Sequence, residues 1–439
     1  MTLLDLTPRP VTTDRLAALP VLIIGAGPVG LAAAAHLVER GIQFTVLEAG
    51  DAVASSVRRW GHTRLFSPWR HLIDPASRRL LERAGWTAPT DEGAPPTGGG
   101  LVDDYLAPLA ALPEIASRIR FGVRVVAVSR EGMDRTRSAG RVATPFLLRL
   151  HTADGDVEEI TGRAVIDASG TYTTPNPLGS TGLDPLGVDA VSARVMHALP
   201  DVRGVDRARF EGAHTVVVGA GHSAANTLIA LAELAADSPA TRVTWLIRHP
   251  SAVRVSSSAD DELSDRAELG SRVDRLVRSG RVELVDSFEI SRLSLHDEAV
   301  RIIGKRRGED AFLDADVIVN ATGFRPDLSM LREMRLELEE VVEAPKRLAP
   351  LIDPNLHSCG TVAPHGFTEL RHPEEGFFVV GMKSYGRAPT FLLATGYEQV
   401  RSVTAWLADD LAAATQVQLT LPATGVCSTD VGGSGACCA

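Results

Sequence analysis

Cysteine is scarce in this chain: there are four in 439 residues, and none precedes Cys359. A disulfide scaffold crowds many cysteines into a short secreted chain, so this is not one. A C-x-x-C redox pair is missing as well, which removes the usual dithiol partner of a disulfide-reducing cofactor. Positive charge is also in short supply, with 45 Lys and Arg against 55 Asp and Glu, a net charge of −10. That balance lacks the basic footprint a nucleic-acid binder needs, and it disfavours an anionic membrane surface. No run of roughly eighteen apolar residues exists to cross a bilayer. Residues 1–20 carry Arg9 and Arg15 but no continuous apolar core, so they do not read as a signal peptide. The expected location is the cytoplasm, where a thiol is more often chemical than structural.

What the chain does have is glycine in a telling order. Val21-Leu-Ile-Ile-Gly-Ala-Gly-Pro-Val-Gly30 is an apolar strand running into three glycines, followed by alanine-rich helix formers up to Arg40 and a second strand, Phe44 to Leu47, that ends at Glu48. In such a strand–turn–helix, Gly25 makes the bend, Gly27 lets the backbone approach a pyrophosphate, and Gly30 lets helix and strand pack closely. The helix N-terminus offers unpaired N–H groups to the phosphates, and Glu48 is placed to accept ribose hydroxyls. This pattern reads as an FAD site.

The same device returns at Thr215-Val-Val-Val-Gly-Ala-Gly-His-Ser-Ala224, with Gly219, Gly221 and Ser223 in the turn and first helical residues. Its second strand ends in Arg248-His249 rather than a carboxylate. A carboxylate there would repel a 2′-phosphate, whereas an Arg pairs with it in a fork, so this site reads as NADPH rather than NADH.

A chain of this length exceeds the roughly 250–300 residues at which single cores stop growing. The expected fold is α/β, with two Rossmann-like dinucleotide-binding domains, the NADPH domain inserted into the FAD domain. The expected limits are 1–189 for the first part of the FAD domain, 190–314 for the NADPH domain, 315–410 for the second FAD part, and 411–439 for a flexible tail bearing cysteines. Within the first part, Trp60 to Trp69 is aromatic-rich, and Trp69 is a candidate wall for a flavin. Leu101 to Leu112 reads as a helix with Tyr105 available to the site. Ala164-Val-Ile-Asp-Ala-Ser-Gly170 ends where backbone can come close to a cofactor. A helix is expected from about Asp260 to Ser279, a strand and Gly turn at Ala315 to Asp327 containing Gly323, and a closing unit at Gly376 to Met382 containing Gly381. A helix from about Thr390 to Leu407 then directs its positive end at the flavin.

These motifs resemble the flavin-containing monooxygenases and, more widely, flavoproteins with two dinucleotide-binding domains. The resemblance runs from Val21 to Leu407. It implies that NADPH reduces FAD, that O2 then reacts with the reduced flavin, and that bound NADP+ protects the adduct while a soft nucleophile is oxygenated. Of that family's pattern before the second glycine turn, only His197 is kept, and it is carried over as a catalytic candidate. Where dithiol flavoprotein reductases have Gly-Asp at the third FAD contact, this chain has Gly381-Met382.

Two further stretches, His357 to His365 and Gly381 to Val400, look like the flavin-binding monooxygenase-like proteins of arsenic-resistance operons, the ArsO type. The ending Ser434-Gly-Ala-Cys-Cys-Ala439 resembles the vicinal cysteine pair of mercuric reductase. Thiolates select soft ions, and a trivalent arsenical takes up to three sulfurs. Cys437 and Cys438 can present two, and Cys359, also a catalytic candidate, a third. The expected partners are therefore O2 and a small-molecule or metalloid substrate, with no nucleic acid and no membrane. Three readings remain open: metalloid oxidation, oxygenation of an organic sulfur, nitrogen or carbonyl compound, and a thiol-based metalloid carrier or sensor without turnover. The oligomeric state is open too, a homodimer included.

Overall fold

A computed structural model describes residues 13–251, 264–353, 364–388 and 391–419. Its first strand, β1 (Val21–Ile24), is apolar and wholly buried, as a strand covered on both faces must be. It is followed by β2 (Phe44–Leu47), β3 (Ile119–Arg120), β4 (Val123–Arg130), β5 (Phe146–Thr152), β6 (Val157–Gly162) and β7 (Ala164–Asp167). β1 pairs in parallel with β2 and with β7, and β2 with β3. β4 to β6 instead form an antiparallel sheet of their own.

The second unit repeats the plan with β8 (Val195–His197), β9 (His214–Val218), β10 (Arg242–Leu246), β11 (Glu283–Val285), β12 (Phe288–His296), β13 (Ala299–Arg306), β14 (Glu309–Ala315) and β15 (Val317–Asn320). Its parallel sheet has the order β11-β10-β9-β15-β8, and β12 to β14 make a second antiparallel sheet. The first parallel sheet is completed only by β16 (Phe377–Val379), which lies beside β7 to give the order β16-β7-β1-β2-β3. The strand expected to return to the first sheet at 315 stays in the second, where β15 pairs with β8 and β9. Val317–Asn320 is as buried as β1 and apolar up to Asn320. Nothing in its own residues distinguishes the two sheets.

In each parallel sheet the glycine-bearing strand is central, with the strand after its helix (β2, β10) on one side and a strand from much later in the chain (β7, β15) on the other. That reversal of strand order is the topological switch point, and ligands bind at the carboxyl ends of the strands there. The helix Pro28–Glu39 is buried from Val29 to Leu37. It lies between the first sheet and the closing helix Leu393–Leu407, where a Cβ on Gly396 would meet Val29 Cγ2 at 2.7 Å. The glycine is what allows the two helices to touch.

Some local expectations shift. The helix expected from Asp260 is described over Ser264–Arg278. The closing helix is described from Leu393 rather than Thr390. Tyr105 does not face a site: it is fully buried within a π-helical turn, Val102–Leu106, and its hydroxyl accepts the Asp74 N–H at 3.1 Å. Asp74 in turn holds His36 Nε2 at 3.0 Å and the Ser77 N–H at 2.8 Å. Burial alone would raise the Asp74 carboxyl, but His36 and the Ser77 hydrogen bonds keep it below the usual carboxylate range. This is a core polar network, satisfied throughout.

Candidate functional site

β1 delivers the chain to Gly25, which has φ +98°, and a Cβ there would lie 2.8 Å from the Ala168 carbonyl oxygen. A Cβ on Gly30 would lie 2.0 Å from the carbonyl oxygen of Gly25. Both glycines are thus demanded by the protein itself. Gly27 is different. It is the N-cap of Pro28–Glu39 with ordinary extended angles, and a Cβ on it would meet nothing within 4 Å. Open space therefore lies where the unpaired N–H groups of the helix end, the arrangement that takes a phosphate. Beside it Glu48, half-buried just past β2, accepts the Ala26 N–H at 2.7 Å and the Gly50 N–H at 2.8 Å, one on each oxygen. Oε1 also lies 3.5 Å from Ser55 Oγ, while Oε2 has one partner and retains a lone pair for a ribose hydroxyl. These residues fit FAD.

The second cradle has the same parts. Gly219 has φ +131°, and a Cβ there would lie 2.2 Å from the Ala321 carbonyl oxygen. The Gly219 carbonyl is itself held by the Trp245 indole N–H at 2.7 Å. Gly221 caps the helix His222–Asp237 and, like Gly27, faces open space. Ser223 lies half-buried in the first turn, its carbonyl accepting from Thr227 Oγ1 at 2.8 Å. Arg248 is exposed just beyond β10 and donates to the Ser180 carbonyl at 3.2 Å, so its cation stands at the strand end where a 2′-phosphate would come. A pyridine nucleotide fits these residues.

Three glycines line the ends of the remaining strands. Gly170 follows β7 at φ +69° and faces open space; Gly323 follows β15 at φ +95° against the Asn176 amide. Gly381 follows β16 and donates its N–H to Gln399 Oε1 at 2.7 Å. The pattern of residues around them was not read from the sequence. Lys383 Nζ lies 2.8 Å from Asp167 Oδ2 and 3.0 Å from Ser169 Oγ, and Ser169 Oγ donates to Asp167 Oδ1 at 2.6 Å. The two charged side chains are 1% and 0% exposed. An ion pair so far from water holds only because these extra hydrogen bonds satisfy it. It joins the carboxyl end of β7 to the segment after β16, two walls of the first cradle. No sequence signal announces it, since 216 positions separate the partners.

Other candidates are placed differently. Trp69 is 6% exposed within the first unit's core. Phe66, three residues earlier, reaches the second unit, its ring centroid 5.1 Å from that of His222. His197 ends β8, an edge strand, and is exposed opposite Asn320. Tyr172 and Phe324, on the two segments joining the units, meet with ring centroids 5.2 Å apart and planes tilted by 32°. Burial raises the Tyr172 phenol, with Arg59 acting against it. Cys359, Cys437 and Cys438 lie outside the described residues. Among the described residues no cluster of three His, Cys, Asp or Glu side chains could hold a metal, and no helix is long and apolar enough to cross a membrane.

Comparison with solved structures gives the same architecture. The chain is similar to bacillithiol disulfide reductase Bdr (YpdA) from Bacillus cereus, with 20% identity, 89% of this chain and 99% of that chain covered, and a TM-score of 0.66. It is similar to DfoA, the cadaverine monooxygenase of desferrioxamine biosynthesis from Erwinia amylovora, with 12% identity, coverage of 92% and 98%, and a TM-score of 0.64. For the ornithine N-hydroxylase KtzI of Kutzneria sp. 744 the values are 17%, 90% and 99%, and 0.58. At such identities the likeness speaks for the fold. A search of curated proteins gave no match. The sequence model of the pyridine nucleotide-disulphide oxidoreductases matches residues 19–376, from just before β1 to the threshold of β16. Two cradles of the right build and a match over most of the chain agree: this protein belongs to the pyridine nucleotide-disulphide oxidoreductase family, with FAD and a pyridine nucleotide as its cofactors.

Proposed function

We propose that the protein is an NADPH-dependent flavin monooxygenase whose substrate is a trivalent arsenical or a similar thiophilic metalloid. One observation supports the electron path above all: no cysteine precedes Cys359 and no C-x-x-C occurs anywhere, so the chain offers no such dithiol to relay electrons to a protein disulfide. FAD, when bound, supplies two-electron acceptance from NADPH and reactivity toward O2. The rest is the work of this chain's residues. The N–H groups behind Gly27 hold the pyrophosphate, and Glu48 holds the ribose. Lys383 and Asp167 keep the cradle's two walls together. The N–H groups behind Gly221 hold the second pyrophosphate, and Arg248 pairs with a 2′-phosphate, which favours NADPH over NADH.

The substrate class rests on the thiols. Cys437 and Cys438 are adjacent, soft, and carried on a glycine- and serine-rich tail, and Cys359 adds a third sulfur. Tethering would raise the local substrate concentration near the flavin. The reaction balances as NADPH, a proton, O2 and the trivalent arsenical giving NADP+, water and the pentavalent oxide. A second reading, reduction of a small external disulfide, is favoured by the fold likeness to bacillithiol disulfide reductase over 99% of that chain.

The two are separated by following NADPH consumption with and without O2, against phenylarsine oxide, small amines and a low-molecular-weight disulfide. The proposal expects O2-dependent consumption stimulated by the arsenical, with pentavalent product appearing. A chain truncated after Leu421 should still oxidise NADPH but bind the arsenical more weakly. Stimulation by the disulfide alone, under anaerobic conditions, refutes the monooxygenase reading.

A further inference from the structure

Between β2 and β3 the first unit sends out an arm, residues 61–69, that is fastened along its length. Gly99 N–H donates to the Gly61 carbonyl and Gly98 N–H to the Thr63 carbonyl, both at 2.8 Å. Leu65 N–H donates to the Pro96 carbonyl at 2.8 Å, and Trp69 N–H to the Ala94 carbonyl at 3.2 Å. Arg64 Nη1 adds a bond to the Pro95 carbonyl at 2.8 Å. At its base Trp69 is anchored in the first unit's core. The arm is thus a rigid extension of the first unit, not a free loop.

The side chain near its middle belongs elsewhere. Phe66 packs against the hydrophobic cluster of the second unit, alongside Ala220 and Phe324. Its ring meets the imidazole of His222 at 5.1 Å with the planes inclined by 57°. His222 is the first residue of the helix that Gly221 caps, so it stands at the edge of the second cradle. Two independent observations therefore place one aromatic ring of the FAD unit on the rim of the pyridine-nucleotide site: its apolar burial and its ring contact.

We infer that Phe66 and His222 together form the contact that fixes the pyridine nucleotide relative to FAD, as positioning residues for hydride transfer. This rests on the assignment of the two cradles. The step it governs passes a hydride, two electrons with one proton, from reduced nicotinamide to oxidised flavin, with a second proton taken from solvent. Transfer of this kind depends steeply on the distance and alignment of the reacting atoms. An arm held by five hydrogen bonds sets such a distance better than linker segments alone.

The test uses the full chain loaded with FAD, as wild type, Phe66→Ala, Phe66→Leu, Phe66→Tyr, His222→Ala and the Phe66→Ala/His222→Ala double variant. Anaerobic stopped-flow mixing with NADPH gives the limiting rate of flavin bleaching, and titration with NADP+ gives its Kd. Phe66→Ala should keep FAD content and melting temperature near wild type, because Phe66 is only half-buried, while its limiting reduction rate falls tenfold or more. Phe66→Tyr should keep the rate and Phe66→Leu should not, since apolar packing without a ring removes the ring contact with His222. The double variant should be no slower than the slower single variant. Wild-type reduction rate in Phe66→Ala, full rescue by Phe66→Leu, or losses that multiply in the double variant would each overturn the inference while leaving the cofactor assignment intact. A wild-type chain that binds FAD but is not reduced by NADPH would remove both.

Discussion

Gly27→Ala separates what the fold needs from what the nucleotide needs. Gly27 has φ −78° and ψ −175°, which any residue adopts, and an added Cβ meets nothing within 4 Å. The FAD-free protein should therefore tolerate the change, and the lower entropy of its unfolded chain should even stabilise it by about 0.4–1 kcal/mol. The methyl group nevertheless occupies the space where the pyrophosphate must approach. Losing one hydrogen bond to a charged phosphate costs about 1.5–3 kcal/mol, or roughly 10- to 150-fold in FAD affinity. Gly30→Ala is the contrast, because its Cβ would lie 2.0 Å from the Gly25 carbonyl oxygen. Overpacking of that kind costs about 1–3 kcal/mol in the protein itself, ligand or no ligand. The assay pairs thermal unfolding of the FAD-free protein with FAD titration by fluorescence quenching. A Gly27→Ala protein that melts lower than wild type, or that binds FAD with unchanged affinity, refutes the view that this open space is the phosphate cradle.

Other outcomes follow from single side chains. His372 is 9% exposed, accepts the Glu337 N–H on Nδ1, and has no partner on Nε2; burial holds its pKa down to about 4. Because the folded value lies below the ordinary 6.5, its contribution is intact above about pH 6.5 and is lost as pH falls toward 4, by about 3 kcal/mol. Urea unfolding of wild type against His372→Asn across that range checks it, and parallel curves would refute it. Lys383→Met strands a buried carboxylate at Asp167 and should cost about 3–5 kcal/mol, most of it recovered in the Lys383→Met/Asp167→Asn double variant. Denaturant midpoints of the FAD-free proteins decide, and a loss below about 1 kcal/mol counts against the pair. Arg248→Ala should lower the kcat/KM preference for NADPH over NADH by roughly tenfold without touching FAD content, and an unchanged ratio would show that the phosphate lies elsewhere.

The two cradles were legible in the sequence because their physics is local. Ten residues hold the strand, the turn and the helix start, where the carbonyl of Gly25 leaves no room for a Cβ at position 30 and the bends at 25 and 219 take positive φ, although the atoms crowding those two glycines, at Ala168 and Ala321, come from distant strands. What escaped was tertiary. β15 is as apolar as a strand of either sheet, so its membership depends on its neighbours and not on itself. Lys383 and Asp167 meet across most of the chain. Phe66 reads as one aromatic among several between Trp60 and Trp69, and Trp69, the larger ring, turned inward to the core instead. Tyr105 looked available for a ligand, yet its hydroxyl serves a backbone N–H in a buried network.

The late arrival of β16 has a consequence for synthesis. Strands 195–320 give the second sheet everything it needs in one contiguous stretch, whereas the first must wait for residues 377–379 to cover the flank of β7. On the ribosome the middle of the protein can therefore settle before its beginning does. A message cut short between those points would yield a finished nucleotide fold attached to one with a bare, adhesive margin, a natural target for chaperones and proteases.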